Sequence, residues 1–242
     1  ESNEINRNHL QFFGTHLSEM ERNLATMQIE GLLDTFKDAR EYGAILNVDA
    51  CDWDVLKRFV DDLGTNGQIS FESVGSEETQ EQLSKLVRVA KNLGQKYDAV
   101  VTNPPYMGRG NMSGKLSEFV KKNYSDSKSD LYAVFIEKSN KMLKKDGFQA
   151  MITQQTWMFI NSYAKLRENI YQSDIVNMAH LGARAFDEIG GEVVQTTSFL
   201  IRKSTIVGFI GTYIKLTDEN SQQKKEIAFL HPDRNVYMAD QR

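Results

Sequence analysis

One cysteine and three prolines in 242 residues are the scarcest features of this chain, and each scarcity excludes something. With Cys51 alone, an internal disulfide, a Cys-x-x-Cys zinc site and a thiol-ligated cluster are ruled out, and a reducing cytoplasm fits best. The four histidines are scattered without spaced partners, so no metal site is expected. No apolar run approaches the ~20 residues that span a bilayer, and the N-terminus lacks the charged-then-apolar pattern of a signal segment. A membrane protein is therefore not expected. Excess positive charge is missing as well: 29 Lys+Arg face 33 Asp+Glu, a net charge of −4, so any contact with nucleic acid must be local. What is present is ordinary for a soluble fold, with 40% hydrophobic and 26% charged residues and a length suited to one or two domains.

The first part of the chain reads as helical. Leu10, Phe13, Leu17, Met20, Leu24 and Met27 recur in steps of three and four, the stripe of one long helix. The same spacing would suit a dimer seam, but Gly31 and Asp34 fall where its next apolar residues should be. The helical pattern continues from Gln28 to Ala39, with Tyr42-Gly43 as its stop. Asp49 or Asp52 can cap a short helix through Val55, Leu56, Phe59 and Val60. After a loop over Thr65–Ser76, residues Glu77–Asn92 place Leu83, Leu86, Val87 and Ala90 on one face, with Gly94 just past the end. No internal repeat is visible.

From Tyr97 the rhythm changes. Tyr97–Thr102 is a β-branched strand that stops at Asn103-Pro104-Pro105-Tyr106, because prolines cannot continue a central strand. A glycine-rich loop, Gly108–Gly114, leads to a helix over Leu131–Leu143, and Phe148–Thr153 is a second strand. Strand, helix, strand makes a βαβ unit with a parallel pair. A helix over Tyr163–Tyr171, a strand over Ile175–Leu181, a turn at Gly190-Gly191-Glu192 and β-rich runs over Val193–Ile201 and Ile206–Ile214 follow. The fold class is α/β, with an antiparallel pair late in the sheet.

Two of the three prolines are adjacent in Asn103-Pro104-Pro105-Tyr106, at the carboxyl end of a strand, where α/β sheets bind ligands. The tetrapeptide suits one chemistry. An exocyclic amine on an aromatic base is a poor nucleophile, since its lone pair is delocalised into the ring. Two acceptors that hold both N–H groups favour a tetrahedral nitrogen, and the Asn103 side-chain oxygen and the Pro104 carbonyl can supply them. The paired prolines fix φ and so fix where that carbonyl points. Tyr106 offers a ring on which an extruded base can stack. The bland alternative is a strand-to-loop turn that happens to use Asn and two Pro residues. Gly108–Lys115 is not a phosphate loop, which would need glycine in place of Arg109 and Ser or Thr in place of Leu116.

YDAVVTNPPYMG resembles the catalytic motif of amino-group methyltransferases that use S-adenosylmethionine, and NPPY is the form most typical of adenine-N6 DNA methyltransferases. The segments Lys128–Phe159 and His180–Lys203 look like the large adenine methyltransferases of bacteriophage-exclusion systems, the PglX type; the likeness runs from about Phe36 to Leu230. The resemblance implies part of a Rossmann-like class I sheet, its catalytic half, with a helical region over 1–94, the NPPY-bearing half over 95–216, and the start of a following region over 217–242. It implies Asn103, Pro104, Pro105 and Tyr106 as catalytic residues and Phe186 as a second aromatic against the flipped adenine. Arg109 and Lys115, with Lys121 and Lys122, could reach DNA phosphates or be solvated surface charges. Asp130 is a ready N-cap, and with Asn103 it would border the cofactor. Trp157 and Phe159 either pack in the core or line the base pocket. Double-stranded DNA is the implied partner, with other phage-defence proteins beside it.

Two other readings compete. A protein-glutamine methyltransferase holds its amide by the same NPPY chemistry, though Met107–Lys128 and the HLGARAF block resemble the DNA group. A binding or scaffold module without catalysis gains from the missing cofactor half: no glycine-rich turn follows a strand-like run before Tyr97, and Gly64 and Gly94 stand alone. The chain also opens at Glu1 with no Met, so an internal fragment that binds S-adenosylmethionine weakly is expected. Finally, Ala99, Val100 and Val101 are too apolar for a bare sheet edge, so a cover is expected there, either the N-terminal helix or a second copy in a homodimer.

Overall fold

The computed structural model describes residues 4–64, 74–186, 194–231 and 235–240. The chain divides into two compact units, residues 1–95 and 96–242. The expected turn at Gly190-Gly191-Glu192 and most of the loop over 65–76 lie outside the described residues.

The first unit is helical among its described residues: α1 (Glu19–Thr35), α2 (Ala39–Tyr42), α3 (Trp53–Asp61) and α4 (Ser76–Gly94). The expected single helix from Leu10 to Met27 is broken. Arg7–Phe12 is a 3-10 turn, Gly14 takes φ 66°, and Ser18 restarts the chain with a capping box closed by Glu21. The apolar stripe counted across that break therefore belongs to two helical frames. Leu10 and Phe13 are buried, but Met20 is 82% exposed, and α1 buries Ala25, Ile29, Leu32 and Leu33 instead. α3 starts at Asp52, whose side chain accepts the Val55 N–H. α4 buries Leu83, Leu86, Val87 and Ala90, the face expected of it.

The second unit is an α/β layer built on one six-stranded sheet. Its elements are β1 (Tyr97–Thr102), α5 (Gly114–Asn123), α6 (Leu131–Met142), β2 (Leu143–Gln154), α7 (Ala164–Ile170), β3 (Asp174–Gly182), β4 (Thr196–Arg202), β5 (Ile210–Lys215), α8 (Gln222–Leu230) and β6 (Val236–Asp240). The strand order is β1-β2-β4-β3-β5-β6. β1 and β2 are parallel across the α6 crossover, and β4 runs antiparallel between β2 and β3. Six carboxyl or amino strand ends thus meet at one rim: Asn103 after β1, Gln155 after β2, Gly182 at the end of β3, Lys215 at the end of β5, Gln195 before β4 and Val236 at the start of β6.

One face of the sheet carries the core, where Met151, Ile175, Phe199 and Ile201 meet Tyr132 and Ile136 of α6 and Leu166 and Ile170 of α7. β2 begins five residues earlier than expected because its first turn pairs with Tyr97 before an irregularity, with Asp146 at φ 63°. A Cβ on Gly147 would stand 3.0 Å from the Asp98 carbonyl, so the close pairing there requires glycine. α5, α8 and β6 had no clear periodic signal. β1 is the edge strand anticipated, at one end of the strand order, with Val101 76% exposed.

Candidate active site

The strand β1 delivers Asn103 to the rim of the sheet, where its side chain is exposed and has no hydrogen-bond partner among the described residues. Pro104 is buried and Tyr106 is half-buried. Neither the Asn103 carboxamide nor the Pro104 carbonyl is engaged by the described residues, so both acceptors stay open for an amine.

What holds the turn is Asp130. Its Oδ1 caps α6 by accepting the Tyr132 N–H at 3.3 Å and also accepts the Met107 N–H at 3.0 Å. Around it the Leu131 N–H donates to the Met107 carbonyl and the Arg109 N–H to the Ser129 carbonyl, each at 3.0 Å, and Gly108 forms a bridge with Asp130. One nearly buried carboxylate therefore ties the proline turn to the start of a helix. Burial pushes the Asp130 carboxyl above its ordinary range, against the opposing pull of the Tyr132 and Met107 N–H groups.

Tyr106 leans on the core. Its ring meets Tyr132 edge-on, centroids 6.0 Å apart at 82°, and Tyr132 meets Tyr163 at 6.1 Å. Burial, then Tyr132 and Asp130, raise the Tyr106 phenol above its usual value, so it stays a neutral ring. Its hydroxyl reaches the Ile152 carbonyl only at 3.4 Å.

The other expected residues fall in different places. Arg109, Lys115, Lys121 and Lys122 are all exposed, Arg109 in a 3-10 turn and the three lysines on α5. Trp157 is buried, edge-on to Phe199 at 5.5 Å, and donates from its indole to Thr153 Oγ1 at 3.1 Å, whereas Phe159 is 59% exposed. Phe186 lines a cavity of about 470 Å³ with Ile152, Leu181 and Phe229. Since Ile152 alternates with the core-facing Met151 and Thr153, that cavity lies on the opposite face of the sheet from α6. Sequence reasoning passed over Tyr132 in α6, Thr156 just past β2 and Arg167 in α7, none of which carries a local pattern that marks it.

Comparison with known proteins gives this geometry a context. The model of the Eco57I restriction-modification methylase family matches residues 10–186, well over half of the chain. The chain belongs to that family. Among its methylase relatives, the adenine-specific methyltransferase PglX of Lacticaseibacillus casei (strain Zhang) is 45% identical over 209 residues, 86% of this chain and 17% of the relative. The adenine-specific methyltransferase BrxX of Escherichia coli O9:H4 (strain HS) is 40% identical over 197 residues, 80% of this chain and 16% of the relative. The chain thus spans about a sixth of the length of these curated relatives. A solved structure of the Type ISP restriction-modification enzyme LlaGI with a DNA substrate mimic is 15% identical, with a TM-score of 0.49 over 70% of this chain and 20% of that one. Among the described residues no helix is long and apolar enough to cross a membrane.

Proposed function

We propose that this chain is the base-handling part of a DNA adenine-N6 methyltransferase, which transfers a methyl group from S-adenosylmethionine to an adenine swung out of double-stranded DNA, as self-marking in phage defence. The observation that carries the reading is the open pair of acceptors at Asn103 and Pro104, fixed at the carboxyl end of β1 by the Asp130 latch. The names of the two curated relatives support it.

In this reading the N6 amine donates one N–H to Asn103 Oδ1 and the other to the Pro104 carbonyl, which draws the nitrogen toward a tetrahedral shape and frees its lone pair. Positive charge that grows on nitrogen is met by both dipoles. Tyr106 receives the base on its ring face, and Arg109 and Lys115 on the exposed turn and α5 lie where phosphates can be met. The residues present do not fit a complete donor site: among the described residues no strand precedes β1, and Asp130 Oδ1 is occupied by two backbone N–H groups. Asn103 and Asp130 would at most border the cofactor. The reading also assigns a cytoplasmic location and further defence proteins as partners.

The test is Asn103→Ala in the natural protein, assayed for N6-methyladenine by mass spectrometry of DNA digests. Methylation should vanish while the fold is kept, and undiminished methylation would refute the reading.

A further inference from the structure

The rim of the sheet carries a second aromatic surface that the acceptor chemistry does not use. The loop after β2, residues 155–160, is tightly held. The Thr156 carbonyl accepts the Phe159 N–H at 3.1 Å and the Ile160 N–H at 3.2 Å. One guanidinium nitrogen of Arg167 donates to the Trp157 and Ile160 carbonyls, both at 2.8 Å. The Tyr132 and Thr156 hydroxyls meet at 2.7 Å. A loop fixed at so many points still turns two large apolar side chains outward, Phe159 at 59% and Ile160 at 45% exposure. Single exposed hydrophobic residues are common on protein surfaces, but two adjacent ones on a rigid loop at a ligand-binding rim form a contact surface.

Phe159 is also backed. Its ring lies 5.7 Å from the His180 ring on β3, tilted by 44°. His180 is held in turn, since its Nε2 donates to Gln155 Oε1 and Gln155 Nε2 donates to Gln195 Oε1. Burial, then Lys215 and Lys225, keep the imidazole below its usual pKa, so at neutral pH it is an uncharged flat ring.

We propose that Phe159, backed by His180 and flanked by Ile160, is a stacking platform for a base of the substrate DNA other than the methyl acceptor. The proposal rests on the DNA-methyltransferase reading. Tyr106 rests on Tyr132 of α6 and its hydroxyl reaches the Ile152 carbonyl of β2, whereas Phe159 rests on His180 of β3. β4 lies between β2 and β3, so His180 stands two strand spacings, about 9–10 Å, from β2. The two rings therefore have separate backings, and in this proposal each takes its own base. They are nevertheless held in one frame, because Tyr132 touches the Tyr106 ring and bonds Thr156 at the base of the Phe159 loop. Extrusion of one base disrupts stacking in the duplex, and an apolar platform beside the site offsets that loss.

The experiment is fluorescence anisotropy of the natural protein on a labelled duplex that it methylates. Phe159→Ala should weaken Kd by about 5- to 150-fold, the range for one stacked base, while Phe159→Tyr keeps most of the affinity. Because Phe159 is mostly exposed, Phe159→Ala should melt with the wild type. If it melts lower, Phe159→Leu decides, since it keeps apolar bulk without the ring and must also lose affinity. Wild-type affinity in Phe159→Ala, in a protein that still methylates DNA through Asn103, overturns the platform alone. A wild-type protein that neither binds nor methylates any duplex overturns the methyltransferase reading and the platform with it.

Discussion

Asp130 joins the proline turn to α6, and two substitutions separate the shape of its side chain from its charge. Asp130→Ala removes an N-cap and a second hydrogen bond, those to the Tyr132 and Met107 N–H groups. A lost cap costs about 0.5–2 kcal/mol and a lost backbone bond a further 0.5–1.5, so the alanine variant should be about 1–3.5 kcal/mol less stable. Asp130→Asn leaves an acceptor oxygen in the same place and removes the charge. Burial raises the Asp130 carboxyl pKa, so the folded chain favours the protonated form. The stability this group contributes is present below the unfolded pKa and is lost as pH rises through the raised folded value. At neutral pH the ionised carboxylate is therefore a mild liability, and the asparagine variant should lie within about 1 kcal/mol of wild type there. It should also lack the wild type's relative gain on acidification into the ordinary carboxylate range. Urea unfolding of the 242-residue chain gives the energies, and amide hydrogen exchange at Met107 and Tyr132 reports the latch itself. Wild-type protection of both amides in Asp130→Ala, or equal losses in the alanine and asparagine variants, would show that the turn is held by something else.

Three further outcomes are expected. Tyr106→Phe should methylate DNA nearly as well as wild type and Tyr106→Ala far less, since the ring contributes stacking and its hydroxyl makes only a long contact; equal losses in N6-methyladenine assays would point to a hydroxyl role. Lys138 is buried on α6, and burial, then Lys141 and Lys96, lower its pKa from 10.5 to about 8. A depressed amine favours the neutral folded form, so the chain should gain stability as pH rises between those values, and Lys138→Met should flatten that rise in unfolding measured against pH. Isothermal titration of the 242-residue chain with S-adenosylmethionine should show negligible or very weak binding, because the described residues before β1 offer no glycine-rich turn after a strand; tight binding would mean a donor site among Glu1–Lys96.

The sequence was most legible where one physical rule acted alone. Tyr97–Thr102 is strand to the residue because prolines end it, and α4 buries its expected face because no competing signal interrupts the stripe. Legibility failed where two rules met. The stripe from Leu10 to Met27 runs through a glycine at positive φ and a strong capping box, and periodicity cannot see that the frame is reset between them. α5 buries only Leu116 and Val120, too little pattern to notice. At the site, Asn103, Tyr106 and Asp130 stood out by residue type and position. Asp130 read as a cap and as a neighbour of the cofactor but not as the latch on the turn, because its second bond, to Met107, joins residues 23 apart in sequence. The split between buried Trp157 and exposed Phe159 depends on the Arg167 clamp, a contact that no local pattern encodes.

The position of β4 sets a timetable for synthesis. β3 bonds only to β4 and β5, both of which follow it in the chain, so when Gly182 leaves the ribosome the strand has no partner. At about 5–20 residues per second the ribosome needs roughly 1–4 s to reach Arg202 and complete β4. During that interval Ile175 and Val176 travel on an unpaired strand, and β2 offers a free edge beside it. A pause between codons 182 and 202 lengthens the exposure and a chaperone shortens its consequences, so the yield of native protein depends on elongation speed across these twenty codons.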